Sequence, residues 1–244
     1  MFSKSYIPNT VTALNALFGF FSIINAFQGD FYHAAIYIYV AAIFDLADGI
    51  VARVLKTSSE FGVQLDSLAD VISFGAAPSV LIYVSYLHKY GITGLLLSSL
   101  VMLFGAFRLA RFNVQLKSID KKPDFSGLPI PLSAVTIATL IISLTEGNHV
   151  NIPYNYFVIP LVIVLSVLMV SKIKYSAFRI NKDLLKDKPI YLGLIIVALI
   201  LLFVTDGQAL FFILLAIVLF GPARAIYMFF FHKDSEEIKQ TGIN

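Results

Sequence analysis

Residues 31–54, FYHAAIYIYVAAIFDLADGIVARV, form an apolar run that contains two aspartates. A run of ~20 apolar residues reads as a transmembrane helix, because a rise of ~1.5 Å per residue then matches the ~30 Å hydrocarbon layer. Comparable runs fall at 9–28, 65–87, 91–112, 129–147, 153–171, 189–205 and 207–230, so eight spans are predicted. Lipid leaves backbone groups few partners outside a helix, which makes the fold all-α. With 58% hydrophobic and 14% charged residues and a mean hydropathy of +0.84, a soluble domain could not bury so much apolar surface. The class is a polytopic membrane protein.

Charge placement orients it. The connections at 29–30, 146–153 and 205–208 carry no Lys or Arg, and 88–91 carries only Lys89. The other 17 of 18 basic residues fall on the opposite side, near Lys4, in 53–56, 108–122 and 172–188, and from Arg224 onward. By the positive-inside rule both termini are cytoplasmic in a multi-pass cell membrane. The pI of 8.9 is therefore a topology signal, and no nucleic-acid partner is implied. The segment KIKYSAFRINKDLLKDK, 172–188, reads as a basic cytoplasmic linker that could also touch anionic headgroups. The stretch 117–127 reads as a polar loop. The chain thus divides into a membrane core at 1–171, the linker, two further spans within 189–230, and a cytoplasmic tail at 231–244. The absence of cysteine removes disulfides, thiolate zinc sites and iron–sulfur clusters. The first span is broken by Asn9, Thr10, Thr12 and Asn15 and lacks a clear small-x-small cleavage site, so it is read as retained.

The stretch DLADGIVARVLKTSSEFGVQLDSLAD, 45–70, puts Asp45, Asp48, Asp66 and Asp70 inside or beside these spans. If the second span descends and the third returns, Asp45 faces Asp70 and Asp48 faces Asp66, close to the cytoplasmic boundary. Asp45 and Asp48 are i,i+3, and Asp66 and Asp70 are i,i+4, so each pair shares a helix face. Four carboxylates gathered there repel unless cations sit among them. An all-oxygen donor set suits Mg²⁺, Mn²⁺ or Ca²⁺, with room for two ions. Gly49 and Ala52 remove bulk from the face that bears Asp45 and Asp48, Arg53 adds a guanidinium fork suited to phosphate, and Gly62 permits close approach to a ligand. Singly, small residues are more often packing contacts and an arginine more often a boundary residue.

These residues match the signature D-x2-D-G-x2-A-R-x8-G-x3-D-x3-D in full, with Asp45, Asp48, Gly49, Ala52, Arg53, Gly62, Asp66 and Asp70 at every fixed position. The chain therefore resembles the CDP-alcohol phosphotransferases over roughly residues 5–170. The resemblance implies a six-helix membrane core, usually a homodimer, that joins a CDP-linked lipid to an alcohol and releases CMP. It implies that Asp45, Asp48 and Asp66 hold divalent cations, Mg²⁺ or Mn²⁺, two per site. Asp70 would be both ligand and base. Gly49 and Ala52 would leave room for cytidine, and Arg53 would hold phosphate. The two C-terminal spans lie beyond this core and are assigned no chemistry.

Three further stretches, SFGAAPS (73–79), FRLARFNV (107–114) and FSGLPIPLSA (125–134), look like the serine-using branch of the family. The opening IPNTVTALN does too, which would place Asn9 and Thr10 along the nucleotide pocket. Arg108 and Arg111 are i,i+3 and share a face, where two guanidinium forks could clamp the carboxylate of L-serine; they could also merely mark a helix boundary. The resemblance points to CDP-diacylglycerol and L-serine as substrates among membrane lipids. Glycerol 3-phosphate remains an alternative acceptor. A cation transporter is the alternative of another class, and it would want its carboxylates near the midplane. His33, His88, His149 and His232 are scattered near boundaries and loops and receive no catalytic role.

Overall fold

The structure is a computed structural model and describes residues 6–55, 57, 59–117, 126–145, 155–173, 175, 193, 196–197, 200–201, 203–205 and 208–231. Among these lie α1 (Tyr6–Phe27), α2 (Phe31–Leu55), α3 (Glu60–Asp70), α4 (Ala77–Ser85), α5 (Gly91–Lys117), α6 (Ile130–Thr145), α7 (Asn155–Val170) and α8 (Gln208–Phe231). Five segments are long and apolar enough to cross a membrane, namely Tyr6–Phe27, Phe31–Leu55, Glu60–Ser85, Leu87–Gln115 and Gln208–Met228. Two shorter apolar helices, α6 and α7, complete the bundle. The protein is an all-α integral membrane protein. Most of the predicted linker, most of the span at 189–205, nearly all of the tail, and His149 and His232 lie outside the described residues.

Helix α1 shows how lipid inverts the usual patterning. Its buried residues are Pro8, Thr12, Asn15, Gly19, Ser22 and Ala26, a seam of small and polar side chains at alternating four- and three-residue steps. Phe20, Phe21, Ile24 and Phe27 face outward instead. Lipid tails are as apolar as leucine, so helices associate through close packing and hydrogen bonds rather than through exclusion of apolar surface. The seam packs against α2, α3, α4 and the segment joining the last two.

Helix α6 is central, with Ile130, Ser133, Ala134 and every residue from Thr136 to Ser143 buried. It can be short because neighbours rather than lipid surround it. The hydroxyls of Thr136, Thr139 and Ser143 donate to carbonyls one turn back, at 2.7, 2.6 and 3.0 Å, so these residues satisfy themselves and leave a slim helix surface. The Tyr39 hydroxyl also reaches Thr139 and ties α2 to α6.

The third span departs from the sequence expectation of a single helix over 65–87. It starts earlier, at Glu60, because Ser59 is an N-cap (φ −129°, ψ 153°) whose hydroxyl accepts from the Gly62 N–H at 3.0 Å. After Asp70 the helix widens into a π-turn over Val71–Ala76, where the Ala77 N–H reaches back to the Ile72 carbonyl. Pro78 contributes to this, since it has no N–H for the Phe74 carbonyl in α register. Two neighbours press on the π-turn. A Cβ at Gly19 of α1 would collide with Ser73, and one at Gly75 would lie 3.4 Å from the Met102 backbone of α5. The Ser73 hydroxyl donates to the Asn15 carbonyl at 2.8 Å and locks this crossing.

Gly19→Val is therefore expected to force α1 off the π-turn and cost about 1–3 kcal/mol through overpacking. The thermal midpoint in detergent should fall clearly, while Phe20→Leu on the lipid face leaves it nearly unchanged.

Candidate active site

The carboxylates come from α2 and α3, and α1 supplies what orients them. One oxygen each from Asp45, Asp48 and Asp66 lie within 4.8 Å of one another. Asp70 approaches Asp45 and is nearly buried, as is Asp48. The facing pairs expected from an antiparallel turn are thus brought together, two turns or so from the end of α2. Asp48 and Asp66 lie nearer the turn between α2 and α3, and Asp45 and Asp70 lie deeper, toward the middle of their apolar spans.

Asn15 Nδ2 donates to Asp70 Oδ1 at 3.3 Å, and Asn15 is itself held through its carbonyl by Ser73. The Thr12 hydroxyl donates to the Pro8 carbonyl at 3.0 Å and lines the same cleft as Asp48. One Asp48 oxygen remains buried without a partner, as does the Asn15 side-chain oxygen. An unpartnered buried carboxylate oxygen is costly unless a cation or donor reaches it. With only oxygen donors converging, the cluster fits a hard divalent cation.

A cleft of about 140 Å³ opens beside the carboxylates. Its walls are Pro8, Asn9 and Thr12 of α1, Asp48, Gly49 and Ala52 of α2, and Gly62, Val63 and Asp66 of α3, with Thr57 and Ser59 between. The small residues of the motif have a direct reason. A Cβ at Gly62 would sit 3.2 Å from both Asn9 Oδ1 and Ser59 Oγ, whereas one at Gly49 would meet Arg53 only at ordinary contact distance, so Gly49 serves by keeping the cleft wall low. Arg53 is exposed at the end of α2, and its Nε donates to the Gly49 carbonyl at 2.6 Å. Its fork therefore folds over the rim beside Gly49.

Two expectations need correction. Thr10 does not line the cleft; it is exposed and donates to the Tyr6 carbonyl at 2.8 Å. The lining threonine is Thr12, two positions on, because two residues rotate a side chain by ~200° around the helix. Sequence reasoning assigned no role to Thr12 or Asn15, although polar residues three apart on one face of an apolar span were the available signal. Nor do Arg108 and Arg111 form a free pair. Arg111 donates to the Val170 carbonyl at 3.0 Å and the Ser126 carbonyl at 3.2 Å, so its fork is committed to backbone. Arg108 is instead largely buried, with Nε lacking a hydrogen-bond partner, and its charge acts on Asp70 from beyond ion-pair distance. Asn113, one turn on, donates to Ser67 Oγ at 2.9 Å and ties α5 to α3.

Comparison with known proteins fits this geometry. Residues 5–170 match the CDP-alcohol phosphatidyltransferase family, and the chain belongs to it. It is 35% identical over 226 residues to a CDP-diacylglycerol–serine O-phosphatidyltransferase of Helicobacter pylori, covering 91% of each chain. It is 39% identical over 173 residues to the archaetidylserine synthase of Methanothermobacter thermautotrophicus, covering 69% of each. A CDP-diacylglycerol–serine O-phosphatidyltransferase of Bacillus subtilis is 34% identical over 176 residues, 72% of this chain and 92% of that one. No solved structure matches the chain.

The cleft geometry separates two threonines experimentally. Thr12→Val replaces a hydroxyl of the cleft wall beside Asp48 with a methyl group and should lower CMP release about threefold or more, as expected when a buried neutral hydrogen-bonding group is lost. Thr10→Val should stay within about twofold of wild type, as surface substitutions usually do.

Proposed function

We propose that the protein transfers the phosphatidyl group of CDP-diacylglycerol to the hydroxyl of L-serine, giving phosphatidylserine and CMP. The observation that carries this reading is a buried Arg108, its Nε without a partner, within electrostatic reach of Asp70 in the aspartate cluster. A carboxylate base and a buried guanidinium with an unfilled donor form a receptor for a small molecule that bears both a hydroxyl and a carboxylate. The names of the relatives from Helicobacter, Methanothermobacter and Bacillus support serine as the acceptor.

In this reading Asp45, Asp48 and Asp66, with Asp70, would hold two divalent cations, Mg²⁺ or Mn²⁺. Such ions, when bound, neutralise charge on the attacking and leaving oxygens of phosphoryl transfer. The protein's own groups do the rest. Gly49, Ala52 and Gly62 leave the cleft open to the cytidine diphosphate, and Asn9 and Thr12 border it. Arg53 at the rim offers its fork to phosphate. Arg108 holds the serine carboxylate and turns the hydroxyl toward Asp70, which takes the proton as the new P–O bond forms. The bond to CMP breaks, and CMP leaves with the electron pair. Arg111 positions rather than binds. The distribution of basic residues supports a cytoplasmic site and cytoplasmic termini, with the lipid arriving from that leaflet and serine from the cytosol. In this reading residues 1–171 form the catalytic core, 172–188 a basic linker, and 189–230 two additional spans ahead of a short tail. Family membership is the support for a homodimer.

The decisive assay follows CMP release by purified protein with CDP-diacylglycerol and Mn²⁺ or Mg²⁺, comparing L-serine with glycerol 3-phosphate. Serine-driven release, abolished by chelator and by Asp70→Asn, is expected. Release driven only by glycerol 3-phosphate would sink the serine assignment. Arg108→Met should raise the KM for serine by about 10-fold or more, the loss expected when a charged hydrogen bond is removed, with a smaller effect on CDP-diacylglycerol. Asp66→Asn should weaken Mn²⁺ binding by about 10-fold or more, read by electron paramagnetic resonance without turnover.

A further inference from the structure

Tyr175 lies beyond the residues that match the family, yet it is nearly buried, 9% exposed. Its ring fills a notch in α8 at Gly221, where any Cβ would collide with it. Its hydroxyl donates to the Val218 carbonyl at 2.9 Å. That carbonyl is short of a partner for a sequence reason. The residue four positions on is Pro222, which has no N–H to complete the helical bond. The motif GPARA thus makes a socket, with the glycine leaving space for an aromatic ring and the proline freeing an acceptor for its hydroxyl.

Two residues before Tyr175 the chain is strapped to the start of the α6 segment. The Gly127 N–H donates to the Ile173 carbonyl at 2.9 Å and the Leu128 N–H to the Leu168 carbonyl at 3.0 Å. Gly127 has φ +89° and lies so close to the Met169 carbonyl that a Cβ would strike it, so the strap is held at backbone contact. The Arg111 fork joins both sides of this strap, at Val170 and at Ser126. A set of contacts therefore runs from α8 through Tyr175 and the strap to Arg111, which lies one turn along α5 from Arg108.

We infer that Tyr175, seated in the Gly221–Pro222 socket of α8, is a positioning residue for the acceptor side of the active site. It fixes the strap that holds Arg111 and thereby the end of α5 that presents Arg108. The donor side, built on α1, α2 and α3, is linked to α8 by packing through α6 rather than by this strap. The inference rests on the reading of Arg108 as acceptor receptor and gives the C-terminal helix a part in substrate recognition.

The test is steady-state kinetics on the full-length protein with Tyr175→Phe, which keeps the ring and removes the donor, and with Gly221→Ala, which crowds the socket. The KM for serine should rise roughly three- to tenfold in Tyr175→Phe, as expected for one lost hydrogen bond, while kcat and the KM for CDP-diacylglycerol stay within about twofold. Combining Tyr175→Phe with Arg111→Lys should give less than the product of the single effects, because both act through one strap. An unchanged serine KM in both socket variants would overturn the inference. So would a parallel loss for both substrates together with a lowered thermal midpoint, which marks a purely structural contact. If glycerol 3-phosphate rather than serine drives release by the wild type, the proposed function fails. The same KM comparison made with that acceptor still decides the role of Tyr175.

Discussion

Charge inside a bilayer has to be compensated within the protein, and the arrangement of this molecule follows from that constraint. An aspartate at the centre of a transmembrane helix costs about 2.5–3.5 kcal/mol on insertion scales, and four of them occur within 26 residues here. They are tolerable because they gather against one another and turn inward onto α1 rather than toward lipid. That helix meets them with Thr12 and Asn15 rather than with apolar side chains. The same seam of small and polar residues then serves as the packing surface, because lipid provides no hydrophobic drive for helix association. The residues that hold the helices together and those that orient the carboxylates are therefore largely the same.

The π-turn after Asp70 converts that packing into a site. A regular α-helix through 71–76 would carry α4 away from Asp70 in a different rotation. The wider turn lets Ser73 bond the Asn15 carbonyl while Gly19 and Gly75 admit neighbours from both sides. Asp70 is thereby fixed from two directions, by the Asn15 amide and by the constrained turn that follows it. Such a residue can serve as base because it has little freedom to swing away from its substrate. The stretch FRLARFN on α5 contributes three separate contacts at this end. Arg108 is buried within electrostatic reach of Asp70, Arg111 clasps two backbone carbonyls, and Asn113 bonds Ser67.

On the proposed reading, the site is assembled from two sides with different supports. The nucleotide side is local in sequence, since α1, α2 and α3 are joined by short turns and share the cleft. The acceptor side is not local. Arg111 reaches carbonyls 15 and 59 residues away, and Tyr175 reaches one 43 residues away.

What the sequence determined by itself was whatever depends on period and composition. The apolar runs defined an all-α membrane protein, and i,i+3 and i,i+4 spacing across one short turn brought four aspartates together. The motif also placed Gly49, Ala52 and Gly62 where space is needed, since a missing side chain acts the same way in any rotamer. Helix rotation and long-range partners were decided only by tertiary structure. Thr12 rather than Thr10 lines the cleft because the packing of α1 selects its buried face. That selection rests on Gly19 meeting Ser73, which no local pattern encodes. Arg108 and Arg111 look alike in sequence, one turn apart on one face. They differ because the carbonyls of Ser126 and Val170 lie beside one and not the other, and backbone carbonyls carry no residue signature. The partner of a hydrogen bond that closes over tens of residues exists only once the chain has folded.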